Sequence, residues 1–158
     1  MGMFARYFVE LPLDARIVER ALLNDPQSWV PGLAGKANRR GDDLLAEVGF
    51  GGEVRVERQV ALEFGTPIKM PSKTVLPMRW SAAGASGLFP SLEADLEIAP
   101  IGQRTQLAMS ARYDPPLGAV GRALDRAVLF RVAEATLKDF LDRVGNAVIL
   151  AEADKATH

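Results

Sequence analysis

The chain has no cysteine and a single histidine, His158, its final residue. The first absence excludes disulfides, thiol nucleophiles and cysteine-held metals. The second removes the Ser-His and Cys-His nucleophile systems and nearly all zinc sites. No apolar run approaches the roughly 18 residues that a membrane span needs. Neither sign of charge dominates: 19 Lys and Arg stand against 20 Asp and Glu, and a net charge of −1 argues against a general nucleic-acid binder. Arg6 and Glu10 interrupt the N-terminus too early for the apolar core of a signal peptide, so the expected location is the cytoplasm. Neither a metal nor a cofactor is expected.

What is present is a patterned globular chain. Its 158 residues are 48% apolar and 25% charged, which suits one domain with one core. That domain is expected over 1–150, with a polar, disordered tail over 151–158. Residues 4–11 alternate with a period of two and predict a first strand, ended by Pro12. Asp14 is a candidate N-cap for a short helix to Leu23, with Ile17, Val18, Ala21 and Leu22 as its apolar stripe. Asn24, Asp25 and Pro26 break it and open a second short helix around Trp29 and Val30, which Pro31 and Gly32 close. Residues 35–41 then read as a basic loop.

Strands are predicted over 43–50, 54–64, 73–81, 91–99 and 104–113. Gly51 and Gly52 supply a hairpin turn after the first of these, and 69–72 is expected to be a loop or an irregular strand. Pro77 cannot donate to a ladder and demotes 73–81 to an edge or bulged strand, which could pair with a second copy. After Tyr113 the chain turns through Asp114, Pro115, Pro116, Leu117 and Gly118 into one long helix reaching about Val148. Leu129, Val132, Ala133, Leu137, Phe140, Leu141 and Val144 make its apolar face; Arg131, Glu134, Lys138 and Asp142 line the other. Short connections imply an antiparallel meander with one wet face and one covered face.

This order of elements resembles the helix-grip fold of the START-like, or SRPBCC, superfamily, which includes pollen-allergen-like and polyketide-cyclase-like proteins. Two stretches carry the local resemblance: residues 25–31, Asp-Pro-Gln-Ser-Trp-Val-Pro, and Thr105 to Tyr113 running on through Asp114-Pro-Pro-Leu-Gly118. Both are similar to small bacterial, especially actinobacterial, members. The resemblance covers nearly the whole chain. It implies an α+β helix-grip domain: a curved antiparallel sheet of six or seven strands wrapped on a long C-terminal helix, with two short helices after the first strand. Six strands are evident, and a seventh would come from splitting 54–70. The resemblance also implies a cavity between sheet and helix that takes a lipid, a polyketide-like molecule or another hydrophobic metabolite. Some relatives of that kind catalyse cyclisation and others only bind, so a cyclase/aromatase-type enzyme is the alternative. A protein-interaction module without ligand is a third reading, and fold does not choose among them.

The residues expected to line such a cavity are Arg58, Val60, Leu76, Met78, Trp80, Leu96, Leu107, Met109, Tyr113, Asp125, Leu129 and Ala133. Arg58 falls on the face of Val56, Val60 and Leu62. It is either a guanidinium anchor for a ligand anion, or it turns outward, or it forms an internal salt bridge. Arg122, Asp125 and Arg126 open the long helix on the side of Leu129 and Ala133, as a cavity rim or as a structural ion pair. Tyr7, Tyr113 and Trp80 offer polar tips if a pocket exists and core packing if it does not. Glu93, Asp95 and Glu97 alternate on one strand face, which reads as a solvated outer face. Lys36, Arg39 and Arg40 read as a solvated loop.

Overall fold

The computed structural model describes residues 3–47, 60–82, 92–113 and 126–156. The elements are β1 (Met3–Leu11), α1 (Ala15–Leu23), a 3-10 turn (Pro26–Ser28), α2 (Val30–Glu47), β2 (Val60–Phe64), β3 (Ile68–Lys69), β4 (Thr74–Ala82), β5 (Leu92–Ile101), β6 (Arg104–Tyr113) and α3 (Arg126–Ala156). Among these residues the strands form one antiparallel sheet in the order β1-β6-β5-β4-β2, with β3 also on β4. The architecture is an α+β helix grip, with six strands among the described residues, two helices after the first strand, and a long terminal helix on the sheet's apolar face.

Local chemistry accounts for several of the joints. Asp14 caps α1, its carboxylate accepting from the Arg16 backbone N–H at 2.8 Å. Val18 and Leu22 bury the helix's apolar stripe. Asp25 takes a left-handed backbone (φ 51°), a conformation that Asp tolerates better than most residues, and the chain reverses into the 3-10 turn. Gln27 ties that turn to the sheet by donating to the Leu62 carbonyl at 2.9 Å. Between β5 and β6, Ile101 pairs with Arg104 across Gly102-Gln103, and Gly102 (φ 59°) supplies the positive φ that a tight hairpin needs.

The sequence-based expectations fail most clearly over 35–47. The expected loop at 35–41 and the start of the expected strand at 43–50 are both part of α2. Buried Val30, Ala34, Ala37, Asn38 and Gly41 recur at helical spacing, and this stripe packs against α3 and β2. Pro31 does not close a helix; it sits in the first turn, where its missing N–H is not needed. Small residues let the two helices approach closely: a Cβ at Gly41 would collide with Thr136 Oγ1, which donates to the Val132 carbonyl at 2.8 Å.

Pro77 misleads as well. β4 is an interior strand, paired with β5 on one side and with β2 and β3 on the other. Pro77 is tolerated because it lies opposite the break between Phe64 and Ile68. There its carbonyl accepts from the Gly65 N–H at 2.8 Å and no donor is required of it. The split of 54–70 supplies β2 and β3, and the Met70 N–H donating to the Lys73 carbonyl at 2.8 Å closes the turn into β4. At the other end α3 continues to Ala156, through residues expected in a polar tail. Residues 48–59, with the Gly51-Gly52 turn, and 114–125, with the proline turn, lie outside the described residues.

The close approach of α2 and α3 predicts an inverted response to a substitution that normally favours helices. Gly41→Ala should lower stability by roughly 1–2 kcal/mol, since the clash outweighs the gain in helix propensity. Thr136→Ala in the same chain should restore most of the loss. Urea unfolding of the four variants checks this, and a stabilising Gly41→Ala would refute the contact.

Candidate ligand-binding site between the sheet and the terminal helix

Strand register assembles the inner face of the sheet row by row. One row across the strands is Met3, Tyr113, Leu92, Trp80 and Leu62; the next is Ala5, Ala111, Ala94, Met78 and Phe64; the third is Tyr7, Met109, Leu96 and Leu76. A fourth carries Val9, Leu107, Ile98 and Thr74. Three strands thus place alanine side by side between rows of large side chains, and Ala5, Ala94 and Ala111 are all buried. No charged side chain occurs in these rows.

The terminal helix lies over them. Phe140 meets Trp80 edge-on, with ring centroids 5.3 Å apart and planes at 64°. Lys138 Nζ stands 5.8 Å over the Tyr7 ring, and a Cβ at Gly145 would come within 3.0 Å of Leu11. Ala133, Leu137, Leu141 and Val144 complete the buried helix face. One polar residue of this surface is Tyr113, and another buried polar group lies nearby on α2's contact with α3 and β2. Tyr113 is buried, and desolvation together with the nearby Glu134 charge pushes its hydroxyl up to about 12. It therefore stays neutral, able to hydrogen-bond but not to act as a base at ordinary pH. Asn38, on the buried stripe of α2, has an amide oxygen with no hydrogen-bond partner among the described residues.

Of the residues expected at the site, Leu76, Met78, Trp80, Leu96, Leu107, Met109 and Tyr113 share this inner face, and Ala133 lies on the buried face of α3. Val60 is in β2 and Leu129 in α3. Arg58, Asp125 and Arg122 lie outside the described residues, and Arg126 is the first residue of α3. Ala5, Ala94 and Ala111 were not singled out as site residues. An alanine row is invisible along one strand, because it exists only once three strands are in register.

The outer face departs from the expected solvated surface. Glu93 is exposed, but Glu97 retains only 7% exposure. Its Oε1 accepts from Lys73, and its Oε2 accepts from Arg6 Nη1 at 2.5 Å and from the Ser110 hydroxyl at 3.1 Å. Burial opposes the charge on Glu97. The hydrogen bonds from Lys73, Arg6 and Ser110 and the Arg6 charge outweigh it and hold the carboxyl below its ordinary range. Arg79–Glu93 at 3.0 Å and Arg104–Glu10 at 3.8 Å are exposed pairs of little energetic weight.

No protein-family model and no curated protein matches this chain. Solved structures do. A conserved protein from Geobacillus kaustophilus is 17% identical with a TM-score of 0.54, covering 94% of this chain and 97% of the other. TTHA0849 from Thermus thermophilus is 13% identical with a TM-score of 0.53, covering 94% and 99%. Ara h 8.0201 is 13% identical with a TM-score of 0.50, again covering 94% and 99%. These likenesses show the fold, the helix grip expected from the sequence. Among the described residues no helix is long and apolar enough to cross a membrane.

The lowered Glu97 carboxyl carries a sign. A depressed folded value contributes stability in full above the ordinary carboxylate range and loses it as pH falls through the folded value. Urea midpoints followed from neutral into acid solution should therefore fall less steeply for Glu97→Gln than for the native chain. Parallel slopes would remove Glu97 from the acid response.

Proposed function

We propose that the protein binds an uncharged or weakly polar hydrophobic small molecule between the inner face of the sheet and α3. One observation carries this reading: three adjacent strands set Ala5, Ala111 and Ala94 in a row beneath the helix, and the neighbouring strand rows are large apolar side chains with no charged residue among them. Apolar ligands are held by area removed from water, at roughly 25 cal/mol per Å² before the costs of association, and a few polar groups orient them. Tyr113 supplies a group of that kind from β6. A lipid or a polyketide-like metabolite fits this chemistry. A cyclase-type activity would need Arg58 or Asp125 to face the same space.

The test uses Trp80, fully buried against Phe140, as the reporter in a Trp29→Phe chain. Titrated N-phenylnaphthylamine, an uncharged hydrophobic probe, should gain fluorescence saturably and accept energy from Trp80. Ala94→Phe, which fills the alanine row, should abolish the signal while circular dichroism shows a folded chain. Uptake that survives Ala94→Phe and disappears in Phe8→Ser would instead place the probe on the outer face and defeat the proposal.

A further inference from the structure

The geometry points to a second site, on the outer face of the sheet, that takes a small oxyanion: the phosphate or carboxylate group of a soluble molecule or a lipid headgroup. A cleft of about 280 Å³ opens there, lined among others by Arg6, Ser72, Lys73, Glu97, Gln106 and Ala108. Register explains the depression. Alanine occupies the outward position on β6 at 108, beside Glu97 on β5 and Phe8 on β1. Small side chains at the middle of a face rimmed by long ones leave a hollow.

The chemistry of the hollow is one-sided. Glu97 is its only acidic lining residue, and both of its oxygens are engaged, Oε1 by Lys73 and Oε2 by Arg6 and Ser110. Several donors of the lining have no acceptor among the described residues. Arg6 bonds Glu97 and Ser110 through Nη1 alone, so Nε and Nη2 have no acceptor among the described residues. Lys73 spends one N–H on Glu97 and keeps the others, and the Ser72 hydroxyl and Gln106 amide stand beside it. Within the lining two cations stand against one carboxylate; of the acidic neighbours on the same face, Glu10 beside Gln106 is paired with Arg104 and Asp95 lies beyond Ser110. Glu97 is thus a positioning residue: it fixes a guanidinium and an ammonium side by side, and pre-set donors of that kind recognise oxyanions. With Arg6 and Lys73 side chains still 44% and 37% exposed, an anion reaches them without rearrangement.

The experiment is an amide chemical-shift titration of the full chain with inorganic phosphate at constant ionic strength set by chloride. Saturable shifts should cluster at Ser72, Lys73, Gln106 and Ala108. Lys73→Gln should weaken binding by about tenfold, and Gln106→Glu, which adds a like charge to the cleft, should weaken it too and serves if Lys73→Gln does not fold. Parallel arms with glycerol phosphate and with phosphatidylglycerol vesicles separate a free metabolite from a lipid headgroup. Shifts scattered over all surface cations, or unchanged in both variants, would overturn the site.

Discussion

The contact on which the rest depends is the seating of α3 on the inner face of the sheet, fixed by the edge-on meeting of Phe140 and Trp80. A sheet with one apolar face is not stable in water until something covers it. Here one helix of 31 residues covers β1 and β6 and reaches Trp80 on β4, α1 and α2 cover β5 and β2, and the rows of side chains beneath them follow from strand register alone. The alanine row, the buried Tyr113 hydroxyl and the Lys138–Tyr7 contact all take their meaning from where that helix lies. α2 adds a second constraint: by approaching α3 as closely as Gly41 and Thr136 allow, it holds the helix from the side.

The two faces of the sheet are built on opposite principles. Inside, affinity for a ligand would come from area and shape, with no charge to satisfy. Outside, one carboxylate is drawn out of water and compensated by groups from three different segments, Arg6, Lys73 and Ser110. Breaking up such a cluster by removing one member leaves the others imperfectly matched, which is why Glu97 couples β1, β5, β6 and the β3–β4 turn. The proximity of two cations is a consequence of that coupling, and it gives the outer face a chemistry that the inner face lacks.

Much of this was legible in the sequence because it rests on periodicity. The alternation in 92–101 and 104–113, the Asp14 cap and the apolar face of α3 each need only local spacing. The failures have equally physical causes. Gly35, Gly41 and the basic residues between them look like a loop, but a small residue at 41 is what this helix needs where it packs against α3 at short range. Pro77 looks like an edge marker, yet an interior strand accepts proline where the neighbouring strand is interrupted. Glu97 has the alternation of a solvated residue, and only long-range register brings Arg6 and Lys73 over it. The alanine row is likewise a property of three strands in register and of no single one.

The central claim is that the alanine row beneath α3 is a place where an apolar molecule is held. Crystals of the protein equilibrated under xenon gas test it most directly, because xenon settles in apolar spaces without chemistry of its own. A xenon atom is expected between Ala94, Ala111 and the buried face of α3. Xenon found only on the outer face, around Phe4 and Phe8, with none between sheet and helix, would contradict it.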